Sequence, residues 1–249
     1  MRGRCLLIVM VILFTAGILV SSGYAQIDPE TIIGTWLFDE GEGDTAGDSS
    51  GNGHDGTLMN GPKWVQGKFG KALEFDGTNG VQVPHADELS LETFTLMAWI
   101  NVKKGGAWQQ IVTKQNSPRN YTIGISPANL IECAFTVGGS FETALGKTPV
   151  DDAQWHHVAG TYDKEFIRVY VDGVLEAENP FTDTPDVNTR PLEFGSGDGE
   201  PMIGGIVDEV LVSNTALTED EIRDLMGGIA TVEPTGKLAT AWGKVKVTY

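Results

Sequence analysis

The run from Gln154 to Val174, QWHHVAGTYDKEFIRVYVDGV, constrains the fold more than any other part of the chain. A Trp-His-His-Val-Ala stretch leads through Gly160-Thr161-Tyr162-Asp163 into a second stretch, Phe166 to Val171, which turns over at Asp172-Gly173. An Asp-Gly pair flanked by alternating apolar residues marks a two-residue hairpin, because a type I′ turn needs positive φ at both central positions. The run therefore predicts antiparallel strands.

Period-two alternation continues elsewhere and extends that prediction to the whole chain. Phe94, Leu96, Ala98 and Ile100 share one face, as do Ile167, Val169 and Val171, and late in the chain Ile206, Asp208, Val210 and Val212. Gly- and Pro-containing turns separate these stretches with no helix-period segment between them. The expectation is all-β: two stacked antiparallel sheets forming a jelly-roll sandwich. One short C-terminal helix is marked by Thr218 as N-cap, Glu221 three residues on, Leu217 positioned to staple onto Ile222, acidic residues in the first turn and Gly227 as a stop. It reads as a structural lid.

Further words stand in a fixed order: Gly34-Thr35-Trp36-Leu37-Phe38-Asp39-Glu40, Asp48-Ser49-Ser50-Gly51-Asn52-Gly53-His54-Asp55-Gly56, Gly67 to Gly77, Phe94 to Ile100, and Gly205-Ile206-Val207-Asp208-Glu209-Val210. With the hairpin, they resemble the LamG-like (laminin G, pentraxin-related) domains of the concanavalin A-like lectin/glucanase superfamily, over roughly residues 31 to 229. The resemblance implies the sandwich fold. It says less about activity, because this fold hosts many functions.

The ends of the chain differ from its body. Arg2 and Arg4 precede an apolar run from Cys5 to Val20, and Gly23-Tyr24-Ala25 offers small residues at a cleavage position, so residues 1–25 are expected to be a secretory signal peptide. The domain then runs over 26–229, and 230–249, with Pro234, three Lys and Trp242, reads as an appended tail. With the leader removed, no membrane span is expected. Cys133 alone is left in the mature chain, so no internal disulfide can form, and its apolar strand context makes it a small buried hydrophobe. The formal charge is −17, and −19 without Arg2 and Arg4. Such a surface repels phosphate backbones and offers carboxylates to cations, so nucleic acid is not an expected partner.

Asp208 lies mid-strand among apolar residues, where a carboxylate facing the core is costly unless it is paired or bound to a metal. The resemblance implies a structural calcium held by such a late-strand Asp with oxygens from early turns, which points to Asp208, Asp39 and Asp76. The Asp48, Ser50, Asn52, Gly53 spacing matches half of an EF-hand loop, but Met59 stands where a bidentate Glu is needed, and Asx turns explain the segment better. His156 and His157 face opposite sides of a strand and cannot form one site. No catalytic triad is visible, and the Glu-x-Asp-x-x-Glu pattern of glucanases sharing this fold is absent. For sugar binding, Trp36, Trp99 and Trp155 fall in core words, whereas Trp108, between two strands, is the best ligand-facing candidate, with Arg119 and Tyr121 in a second expected loop. Asn120-Tyr121-Thr122 is a glycosylation sequon. The chain is thus expected to be a secreted, non-catalytic, carbohydrate-binding module with calcium, its partner an extracellular glycan or, as the alternative, a surface protein; a polysaccharide-active glycosidase or lyase is the third reading.

Overall fold

The computed structural model describes residues 27–103, 105–115, 118–197 and 199–229, so the expected leader and tail lie outside the described residues. In chain order the strands are β1 (Ile32–Trp36), β2 (Thr45–Ala46), β3 (Gly56–Met59), β4 (Lys63–Gln66), β5 (Lys71–Asp76), β6 (Gly80–Val83), β7 (Phe94–Val102) and β8 (Gln109–Lys114). They continue with β9 (Tyr121–Ile125), β10 (Leu130–Val137), β11 (Ser140–Pro149), β12 (Trp155–Tyr162), β13 (Phe166–Val171), β14 (Val174–Pro180), β15 (Leu192–Phe194) and β16 (Ile203–Ser213), and helix α1 (Glu219–Leu225) closes the domain. Sheet one has the order β14-β13-β12-β7-β16-β5-β4, with β1 also pairing β16; sheet two has the order β11-β10-β9-β8-β15-β6-β3-β2. Every pairing is antiparallel, as the jelly-roll reading requires.

The expected hairpin is present. Asp172 and Gly173 both take positive φ, 50° and 72°, and their turn joins β13 to β14. The opposite turn, from β12 to β13, is closed by the Asp163 carboxylate, which accepts the amides of Glu165 and Phe166.

The core lies between the sheets. Phe94, Leu96, Ala98 and Ile100 of β7 and Ile167, Val169 and Val171 of β13 meet Tyr121, Ile123, Ile131, Cys133 and Phe135 from sheet two. Each such large apolar side chain contributes roughly 1.5–3 kcal/mol on leaving water. Cys133 is buried and unpaired by disulfide, as its context predicts. It sits against Gly160, where an added Cβ would lie 2.7 Å from the Cys133 sulfur, so a side chain here would force the sheets apart.

Strand β16 departs from simple alternation. Its register against β7 shifts between Asp208 and Leu211, and Glu209 takes a φ of 51°, the signature of a bulge that inserts one residue. Val207, Val210 and Val212 therefore face the core together, and Asp208 is turned away from it. The expected shared face of Ile206, Asp208, Val210 and Val212 is corrected by that inserted residue.

A second apolar cluster covers the outer face of sheet one: Met97, Ala159, Tyr170 and Leu211 from the strands pack with Leu217 and Ile222 at the helix. The capping box on α1 is formed in both directions, Thr218 with Glu221. No helix among the described residues is long and apolar enough to cross a membrane.

Candidate ligand-binding site

Sheet two turns its alternate residues outward, and most of these are polar. Cross-strand pairing aligns Thr45, Thr57, Gln82, Glu193, Thr113, Thr122, Ala134 and Thr143 in one row across all eight strands. The two ends of the row reach solvent, but Thr113, Thr122 and Ala134 at its middle are buried. Side chains and loops rise over them and shape the face into clefts.

One cleft of about 250 Å³ is lined by Trp108, Arg119, Glu132, Phe141 and Glu200. Trp108, on the approach to β8, is 38% exposed, and Phe141, two residues past the Gly138-Gly139 turn, is 63% exposed. Arg119 lies between them at 8% exposure, its guanidinium 4.9 Å from the Phe141 ring centre and 3.6 Å from a Glu200 carboxylate oxygen. Gln110 donates its amide to the same Glu200 carboxylate and accepts from the Thr122 hydroxyl. Glu132 accepts from Thr143 Oγ1 at 2.8 Å. Its burial raises the Glu132 carboxyl above the usual range; the Thr143 bond and Arg119 pull it down, and Glu200 pushes it up. The cleft thus presents two aromatic faces around a fixed guanidinium and two anchored carboxylates.

Trp108 and Arg119, expected as ligand-facing, are brought together here. Tyr121 is not: it is fully buried in the core, and its hydroxyl donates to the Leu89 carbonyl. The expected loop around it is the start of β9, where both faces of the strand are covered. Asn120 is also buried, its amide bonded to the carbonyls of Leu91 and Asp186, so the sequon offers no accessible acceptor. Phe141, Glu132 and Glu200 were not singled out from the sequence.

The three expected calcium ligands do not form one site. Asp39 and Asp208 meet at the β4–β5 turn, where Asp208 Oδ2 accepts the Phe69 amide at 2.9 Å and Asp39 Oδ1 accepts the Lys71 amide at 2.9 Å. The turn glycines make this approach possible, since a Cβ on Gly70 would lie 2.0 Å from Asp39 Oδ1 and one on Gly67 would lie 2.6 Å from Asp208 Oδ2. Asp76 stands at the other end of β5, and its Oδ1 accepts from both the amide and the hydroxyl of Thr78. Among the described residues no three His, Cys, Asp or Glu side chains group into a metal-holding cluster. The residues therefore do not fit calcium as the trio expected. Asp48 is a loop anchor: its carboxylate accepts the amides of Thr35, Ser50 and His54, which matches the turn reading of that segment.

Comparison with known proteins agrees with this architecture. A model of the Laminin_G_3 family, of the concanavalin A-like lectin/glucanases superfamily, matches residues 75–223, more than half of the chain. The chain belongs to the Laminin_G_3 family. No curated protein matches the sequence. Among solved structures, this Laminin_G_3 chain is similar to the binding domain of Paraclostridial Mosquitocidal Protein 1, with a TM-score of 0.68 and 15% identity, covering 80% of this chain and 52% of that one. It is similar also to domain 4 of an extracellular arabinanase from Geobacillus stearothermophilus in complex with arabinotriose, with a TM-score of 0.61 and 20% identity over 78% of this chain and 98% of that one. The binding domain of a botulinum neurotoxin in complex with SialylT gives a TM-score of 0.64 and 14% identity over 80% and 51%. The Laminin_G_3 chain spans about half the length of the toxin binding domains it matches. At these identities the likeness shows the shared fold.

Proposed function

We propose that the domain is an extracellular, non-catalytic recognition module that binds an uncharged glycan on the outer face of sheet two. The observation that carries this reading is the cleft in which Trp108 and Phe141 flank the buried Arg119. Aromatic faces pack against sugar rings, and a few placed polar groups fix orientation. The similar structures in complex with arabinotriose and SialylT support sugar recognition on this fold. Charge favours a neutral sugar: one guanidinium meets two carboxylates in the cleft, on a chain of net charge −17. Both carboxylates are engaged, Glu200 with Arg119 and Gln110 and Glu132 with Thr143, so they orient the site and do not act as an acid and a nucleophile. The apolar leader and the extracellular arabinanase relative support an extracellular setting.

The test is titration calorimetry with neutral arabino-, xylo- and cello-oligosaccharides, alongside an assay for released reducing ends. Saturable binding is expected with no hydrolysis, and Trp108→Ala or Phe141→Ala should weaken it about tenfold, which corresponds to ~1.4 kcal/mol. Binding unaffected by either substitution would move the site elsewhere, and sugar release would overturn the non-catalytic reading.

A further inference from the structure

We propose that the ligand is a linear oligosaccharide lying across the strands of sheet two, and that a second subsite built on Gln82, Glu193, Asn79 and Ser196 holds the sugars beyond the aromatic cleft. This inference rests on the aromatic cleft being a glycan site.

A second cleft, of about 320 Å³, opens on the same face over β6 and β15, and Gln82, Glu193 and Ser196 line it. None of its described lining residues is aromatic; amides, a carboxylate and hydroxyls make up its polar wall, the chemistry that bonds sugar hydroxyls. Gln82 donates its amide to Glu193 Oε1 at 2.8 Å, which holds both side chains in place on the wall of the cleft and leaves the Gln82 amide oxygen and the second Glu193 oxygen outside that bond. Asn79 is fixed by accepting the Asp76 amide.

The two clefts share a wall. The segment after β15 contributes Gly197 to the wall of the second cleft and Glu200 to the wall of the first. Beneath Gly197 lies Gln115, 2% exposed, whose side-chain amide has no hydrogen-bond partner among the described residues at either atom. A Cβ on Gly197 would lie 2.7 Å from Gln115 Nε2 and 3.3 Å from Glu193 Oε2, so the amide packs directly beneath Gly197 in the wall of the second cleft. Thr113, of the outward row and two residues before Gln115, is buried, and its hydroxyl also has no partner among the described residues. Both groups lie below the surface, so they form a polar floor under the wall shared by the clefts, and the partly exposed Gln82 and Glu193 side chains are the ones that meet the ligand.

Length follows from the strand order. The aromatic cleft rests on β10 and β11 and the second on β15 and β6, and from β10 to β6 the sheet takes four strand-to-strand steps, about 19 Å at the usual spacing. That distance accommodates several sugar rings. The carboxylates at both ends, Glu193 with Glu132 and Glu200, keep the clefts selective for uncharged chains.

The experiment is calorimetric titration of xylo- and cello-oligosaccharides of two to six units into the wild type and the Gln82→Ala, Glu193→Gln and Trp108→Ala variants. Melting temperatures of the variants check that each is folded. Wild-type affinity should rise about tenfold or more between two and five units. Gln82→Ala and Glu193→Gln should weaken the five-unit ligand by about tenfold and leave the two-unit ligand within about twofold, whereas Trp108→Ala weakens both. Affinity independent of length, or Gln82→Ala and Glu193→Gln variants that bind the long ligand as wild type does, would overturn the second subsite and leave the aromatic cleft standing. Absence of binding at every length would overturn the glycan reading itself.

Discussion

Alternation along β12 gives His156 and His157 opposite surroundings, and their protonation should differ in sign. His156 lies on the inner side of β12 with Val158, at the edge of the sandwich between Asp152 and Asp172, with Nδ1 2.9 Å from Asp172 and Nε2 3.2 Å from Asp152. Desolvation works against its charged form, but the bonds and charges of the two carboxylates outweigh it and raise its pKa. His157 is buried against Trp99, at 5.3 Å between ring centres, and desolvation lowers it to about 4 despite the charge of Asp172. For His156 the stabilisation is full below its unfolded pKa and is lost as pH rises through the raised folded value. For His157 the unfolded chain takes up the proton first, so stability falls as pH drops from about 6.5 toward 4, by roughly 2–3 kcal/mol at pH 4.5. The variant His157→Phe should remove most of the difference between denaturant midpoints at pH 7 and pH 4.5; an unchanged difference would show that other groups carry the acid loss. Part of the site was equally readable residue by residue. Trp108 stood out as a tryptophan outside every strand word. Glu132 alternates with Ile131 and Cys133, so its outward direction was available from period two, but nothing local said that Glu200, 68 positions away, would share its cleft. Tyr121 misled because a residue buried from both sides looks the same in sequence as one in a polar loop.

Among the elements, β16 carries the least expected feature. Its bulge places two consecutive buried carboxylates on connections that need them: Asp208 holds the β4–β5 turn, and Glu209 accepts the amide of Ile229 beyond the helix at 2.6 Å. Alternation alone cannot reveal an inserted residue, since the pattern reads smoothly through it and only the neighbouring strand's register exposes the shift. Asp208→Ala strands a turn amide and should lower stability by about 1–3 kcal/mol, while Asp208→Asn keeps an acceptor and should lose less, in calcium and in chelator alike. A calcium-dependent melting shift in the wild type that Asp208→Asn abolishes would instead assign this carboxylate to a metal. The helix was legible because its signals are local: Thr218→Ala removes one side of the capping box and should lower stability by about 1 kcal/mol, measurable as a shifted urea midpoint with an unchanged slope.

For the molecule as a whole, charge and topology set different properties. With a formal net charge of −17, self-repulsion opposes the compact state, and screening relieves it. The melting temperature at pH 7 should therefore rise as sodium chloride increases from 10 to 300 mM; a fall would mean that specific ion pairs such as Arg168 with Asp163 and Glu178 dominate over the overall charge. The sandwich itself was visible in the sequence because hairpin turns and period-two strands are short-range features, whereas the pairing of β15 between β6 and β8 joins segments far apart and leaves no local trace. The same topology also fixes how the domain faces its surroundings. Ile27 and Ile229 pack in one apolar cluster on the outside of sheet one, whereas the clefts open on the outside of sheet two. The described chain thus begins and ends at the back of the sandwich, so a tether or fusion partner joined on that side would present the clefted face outward, like a palm held away from the wrist.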